Sequence, residues 1–138
     1  MQTPTRLIPL AVALALGACV LAGAPEPEPT GAEDFADYCA SCHGLSGKGD
    51  GALAKTLEHR PANLTRLARA NGGTFPTTPV MAKIWGYTGG KGGSDIMPNF
   101  GPLLDSDTIP YEGGDGIMTP TPLRLVQIAE HLKTLQVK

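Results

Sequence analysis

The sequence predicts an all-α domain of about three to five short helices joined by long loops. Three observations support this. Apolar residues recur at helical spacing in several short windows, and no window alternates convincingly as a strand. The 18 glycines and 13 prolines in 138 residues interrupt the chain too often for long elements. Aromatic content is only 5%, so such a domain has few large side chains with which to fill its own core.

The elements can be placed in order. Thr30-Gly31-Ala32-Glu33 fits a capping box, and Phe35, Tyr38, Cys39 and Cys42 follow at helical spacing, which defines a first helix. Residues 44–51 form a glycine-dense turn whose spacing is wrong for a phosphate loop and which no strand precedes. A short helix is expected over 52–57. Residues 59–64 are expected to be extended, because Pro61 restricts the residue before it. Further helices are expected over 64–70 and 78–87, the latter with Val80, Met81 and Ile84 on one side. Gly89 to Gly93 read as flexible, and Leu104 to Gly116 as an acidic loop. The last helix is expected to take Thr121 as its cap and Pro122 at its first position, with Leu125, Ile128, Ala129, Leu132 and Leu135 in one apolar stripe.

The two ends of this plan have different chemistry. Residues 1–22 carry one positive residue, Arg6, then an apolar run closed by small residues, the pattern of an export signal. Two processing routes stay open. Leu16-Gly17-Ala18-Cys19 resembles a lipobox, in which a lipidated Cys19 would anchor the chain to a membrane, whereas a peptidase cut after Ala22 would remove it. Residues 23–30 alternate Pro and Glu and are expected to be an extended spacer. Residues 31–138 suit one small domain. Its setting is then outside the cytoplasm, periplasmic or held at a membrane. The formal charge of -2 argues against a nucleic-acid partner.

Cys39-Ala40-Ser41-Cys42-His43 carries the most chemical information. Two thiols three residues apart lie on one side of a helical turn and can add to the two vinyl groups of one porphyrin, and the imidazole that follows can rise to the iron. A thioredoxin-like dithiol would follow a buried strand, but Ala32 to Tyr38 is polar and helix-prone. A four-ligand zinc site would need two more Cys or His at short spacing, and a lone disulfide would not call for His43. The motif is therefore read as the attachment site of one haem c, which would also supply apolar mass that the thin core lacks. Four methionines are present. Met97 sits in a loop after the glycines and is braced by Pro98, Met118 lies near the last helix, and Met81 falls on a helical apolar face where methionine usually fills core.

The order of helix, Cys39 to His43, glycine loop, Arg60-Pro61-Ala62-Asn63-Leu64-Thr65, Met97-Pro98-Asn99-Phe100 and amphipathic final helix resembles the class I, single-haem bacterial c-type cytochromes. The resemblance implies the cytochrome c fold, with first and last helices crossing and the chain wrapped around the haem. It implies His43 and Met97 as iron ligands, with Met118 as the alternative because the stretch after Met97 is long. Pro61 would offer its carbonyl to the Nδ1–H of His43, and Arg60, Trp85 and Tyr87 would meet the propionates. His131 would pack at the helix crossing, and His59 would sit in an exposed loop. The function implied is one-electron transfer between redox protein partners, without substrate chemistry. The alternatives are a haem with an open or labile sixth site, or a subunit of a respiratory or dehydrogenase complex.

Overall fold

A computed structural model of the chain describes residues 27–87 and 97–138. The expected export signal with Cys19, the first part of the spacer, and the glycine stretch 89–93 lie outside the described residues. Pro27 to Thr30, the described end of the spacer, has no regular structure.

The first helical run, 31–43, starts at the expected capping box. Thr30 Oγ1 accepts from the Glu33 amide, and the Glu33 carboxylate accepts from the Thr30 amide at 2.7 Å. The run is α1 (Gly31–Asp34), a π-helical turn (Phe35–Cys39) and α2 (Ala40–His43). In the π turn the Ala40 amide reaches the Phe35 carbonyl five residues back, and such insertions tend to occur at functional positions. Short 3₁₀ turns follow at Ala52–Lys55 and Leu64–Arg66, the second continuing into α3 (Leu67–Ala70). Next comes α4 (Thr77–Trp85), closed by Gly86 in the left-handed region at φ 96°, with the Tyr87 amide returning to the Ala82 carbonyl. A 3₁₀ turn, Gly101–Leu103, precedes the final elements.

Between that turn and the last helix the structure departs from expectation. The acidic loop is a β-hairpin: β1 (Thr108–Glu112) pairs antiparallel with β2 (Met118–Pro122), with Tyr111 opposite Thr119 and Pro110 opposite Pro120. Prolines at 110, 120 and 122 hid these strands. A two-stranded sheet has two free edges, so a proline lacking its N–H can sit where no ladder bond is needed.

The last helix, α5 (Leu123–Thr134), begins one residue later than expected, and Thr121 does not cap it. Thr121 belongs to β2 and donates to the Thr119 carbonyl. The first turn of α5 is served from a distance: the Leu123 amide bonds the Asp107 carbonyl at 2.8 Å, and the Arg124 amide bonds Ser106 Oγ at 3.2 Å. These contacts satisfy amides that a helix N-terminus leaves without partners.

The first run and α5 cross at Gly31, where an added Cβ would fall on the Gln127 carbonyl. Phe35, Leu125, Val126, Ile128, Ala129 and Leu132 form the buried centre of this crossing, with Met81, Ile84 and Leu104 around it. Burying a Leu, Ile or Phe side chain is worth roughly 1.5–3 kcal/mol, so the crossing dominates the apolar stabilisation. Inside it, fully buried Asp34 receives the Arg124 guanidinium through both carboxylate oxygens, Nε donating at 3.0 Å. Arg124 Nη1 also donates to the Leu103 carbonyl, and its guanidinium lies 5.9 Å from the Tyr38 ring centre. His131 packs against Phe35 with ring centres 5.2 Å apart, at the crossing as expected.

Two expected outcomes follow from this packing. Asp34→Asn leaves a largely buried guanidinium without its counter-charge and should lower stability by about 3 kcal/mol in urea titrations. Burial depresses the His131 pKa below 6.5, so the unfolded chain takes up a proton first as pH falls. Stability should therefore decline as pH drops below 6.5, and His131→Phe should reduce that decline without weakening the protein at pH 8.

Candidate functional site

The crossing leaves one side open, and there the structure holds a cavity of about 360 Å³ with mainly apolar walls, within the range of small-molecule and cofactor sites. Five segments build it. The helical run contributes Phe35, Tyr38, Cys39, Cys42 and His43, and the extended strap contributes His59, Arg60, Pro61, Ala62 and Leu64. Val80, Lys83 and Ile84 come from α4, followed by Met97, Pro98 and Phe100. Ile128 and Leu132 of α5 close it.

His43 is the last residue of α2 and is buried. Its Nδ1 lies 3.0 Å from the Ala62 carbonyl oxygen. A carbonyl only accepts, so Nδ1 carries the proton and Nε2 keeps its lone pair for a metal. The family resemblance implied this acceptor role for Pro61, and the structure gives it to the next residue. The Pro61 carbonyl is turned onto Gly49, where an added Cβ would meet it, and Ala62 presents its own carbonyl to the ring. Pro61 still lines the cavity with its ring.

The glycine turn has a clearer task than passing near a bound group. It folds back onto the helix end: the Gly49 amide bonds the His43 carbonyl at 2.8 Å, and the Gly51 amide bonds the Cys42 carbonyl at 3.1 Å. Gly44, Gly47 and Gly49 all have positive φ, a conformation that side chains resist. Arg60 lies across this turn, its Nε donating to the Gly49 carbonyl at 3.3 Å. The strap is fixed at its other end by the tail. Gln136 Nε2 donates to the Leu64 carbonyl, Gln136 Oε1 accepts from the Ala68 amide, and the Val137 amide bonds the Thr65 carbonyl.

Cys39 is buried and Cys42 half-buried, both as free thiols. Burial, first, then the charges of Asp34 and Cys42, push the Cys39 thiol up to about 12. It is therefore a neutral, apolar-facing thiol rather than the exposed, acidic thiol of a dithiol catalyst. Met97 is half-buried and lines the same cavity as His43. Met118 is exposed at 61% on β2 and lines no part of it. Met81 is core. His59 reaches the rim although its side chain is largely exposed.

Six of the seven residues singled out in the sequence thus meet at one cavity: Cys39, Cys42, His43, Arg60, Pro61 and Met97. Trp85 does not. It follows Ile84 on α4, a step of about 100° round the helix, and that step carries it with Tyr87 into a separate groove. Residues that the sequence did not single out for the site include Ala62 and Phe100. Phe100, whose ring centre is 6.3 Å from that of Tyr38, was quoted only as part of a motif.

Residues 26–109, more than half of the chain, match the family model described as cytochrome c oxidase, cbb3-type, subunit III. The chain belongs to this cytochrome c family. Its fold is the cytochrome c fold, here with a hairpin added, and the domain is one that binds haem c for electron transfer. No curated protein and no solved structure gives a significant match. The lining fits a haem: a mainly apolar cavity, two thiols on the helix that borders it, and an imidazole whose Nδ1 is already engaged.

Gly49→Ala should cost more than Gly72→Ala. Both positions have positive φ, worth about 1 kcal/mol of strain, but only Gly49 is crowded, against the Pro61 carbonyl. Overpacking there should bring the total to about 2–4 kcal/mol by urea titration of the holoprotein.

Proposed function

We propose that the protein is an exported, single-haem electron carrier, periplasmic or anchored through Cys19, with no substrate chemistry of its own. The haem is attached through Cys39 and Cys42 and ligated by His43 and Met97. The observation that carries this reading is the meeting of those four side chains at one mainly apolar cavity, while Met118 faces solvent.

When bound, the haem supplies one-electron chemistry between ferric and ferrous iron. The chain's own residues set the terms. Cys39 and Cys42 fix the ring in place. Ala62 holds the Nδ1 proton of His43, which orients the imidazole and makes it a more electron-rich donor. The Met97 thioether favours the ferrous state, so the potential should lie well above that of a bis-histidine haem. Phe35, Leu64, Ile84, Phe100 and Ile128 keep water from the cavity, which limits reorganisation as charge changes. Arg60 and His59, which line the rim, would meet carboxylates of the ring edge.

The family description favours a second reading, in which this carrier works within a respiratory oxidase assembly. Recovery of the protein with oxidase subunits from solubilised membranes would support it. Recovery as a free chain competent in electron transfer would support a mobile carrier.

The ligand assignment has a direct test. Ferric wild-type protein should show the weak far-red band of thioether ligation, and Met97→Ala should lose it and bind carbon monoxide rapidly when reduced. Met118→Ala should leave the band and the potential unchanged. The converse pattern would transfer the ligand to Met118, and no band in the wild type would indicate an open or differently filled sixth site.

A further inference from the structure

Trp85 and Tyr87 do not line the first cavity but wall a second groove of about 260 Å³ between α4, the hairpin and the start of α5. The groove is a built one. Trp85 is held in place by close packing on bare backbone, since a Cβ on Gly101 would come within 3.1 Å of its indole Cδ2. Its ring pairs with that of Tyr87, centres 6.4 Å apart and 32° from parallel.

The opposite wall is the hairpin, and its turn is locked. Glu112 Oε1 accepts from the Gly114 and Gly116 amides at 2.6 and 2.7 Å, and Asp115 Oδ1 accepts from the Ile117 amide at 3.0 Å. Thr78 Oγ1 donates to the Gly113 carbonyl at 3.3 Å, which ties the turn to α4 across the groove. Tyr111 also lines this wall, its hydroxyl engaged by Glu130 and Lys133. Met81 and Leu125 supply buried apolar surface beneath.

Behind the Tyr111 wall the Lys133 ammonium lies 5.7 Å from the ring centre, but the lining itself carries charge of one sign. Among the described residues that line the groove, Asp115 is the one charged side chain, and none is Lys, Arg or His. Asp115 Oδ1 is engaged, and no described hydrogen bond uses Oδ2. The rings of Trp85 and Tyr87 present negative quadrupole, a carboxylate adds full negative charge, and the apolar surface favours methyl or methylene groups. Those three properties together match a cation whose charge is spread over an apolar body. We propose that this groove binds a small organic cation of the alkylammonium class, quaternary amines included. Its volume equals that of roughly nine waters, which suits a molecule of choline's size.

The chain's single tryptophan makes the test direct, because the indole N–H of Trp85 reports from the groove wall. The reduced holoprotein would be titrated with choline and with its uncharged carbon isostere while that resonance is followed by NMR. Choline should shift it saturably, and the isostere should bind about tenfold more weakly or worse. Asp115→Asn should weaken choline about tenfold and leave the isostere unaffected, with Trp85 still well dispersed as proof of folding. Equal affinity for both probes would overturn the proposal in favour of a plain apolar groove. An absence of saturable shift with either would overturn it outright. Neither failure touches the haem ligands, which the optical spectrum reports separately.

Discussion

A buried ion pair between the first and last helices organises this molecule. Asp34 stands one turn before Cys39 and Arg124 in the first turn of α5, so the pair joins the segment that carries the haem motif to the segment that closes the fold. Arg124 reaches further, to the Leu103 carbonyl just after the Met97 segment and to the face of Tyr38. Three regions distant in sequence are thereby set around one guanidinium. A hydrophobic pair of similar volume could stabilise as well, but it would not fix direction in this way. Gly31 makes the arrangement possible by letting the two backbones approach where any side chain would collide with Gln127.

The cavity beside that crossing is as much part of the core as the crossing itself. The buried apolar set is small and lies on one side, against α5, while Tyr38, Leu64, Phe100 and Leu132 border open apolar space. A chain with so few aromatic residues cannot fill that space by itself. A bound haem would complete the interior, so that the cofactor would stabilise the folded chain as well as serve its chemistry.

Legibility in the sequence followed the range of the interaction. The capping box at Thr30 and Glu33, the spacing of Cys39, Cys42 and His43, and the stripe of α5 are local patterns, and each is present in the structure. Features set by distant partners were harder to see. The start of α5 is fixed by Ser106 and Asp107 rather than Thr121, and nothing near Thr121 signals this. The hairpin was concealed by prolines that an isolated two-stranded sheet tolerates. The exchange of Pro61 for Ala62 turned on which carbonyl Gly49 occupies, and the departure of Trp85 on one residue of helical phase.

The tail gives the site an order of assembly. Gln136 and Val137, just past the end of α5, hold Leu64, Thr65 and Ala68, and so steady the strap that presents Ala62 to His43. A chain made from its N-terminus therefore displays both thiols long before it possesses the wall of Ile128 and Leu132 or the clamp on the strap. Docking of α5 then walls the open face beside those thiols with Ile128 and Leu132. The segment that follows α5 serves as a latch, holding the strap against the helix that carries His43.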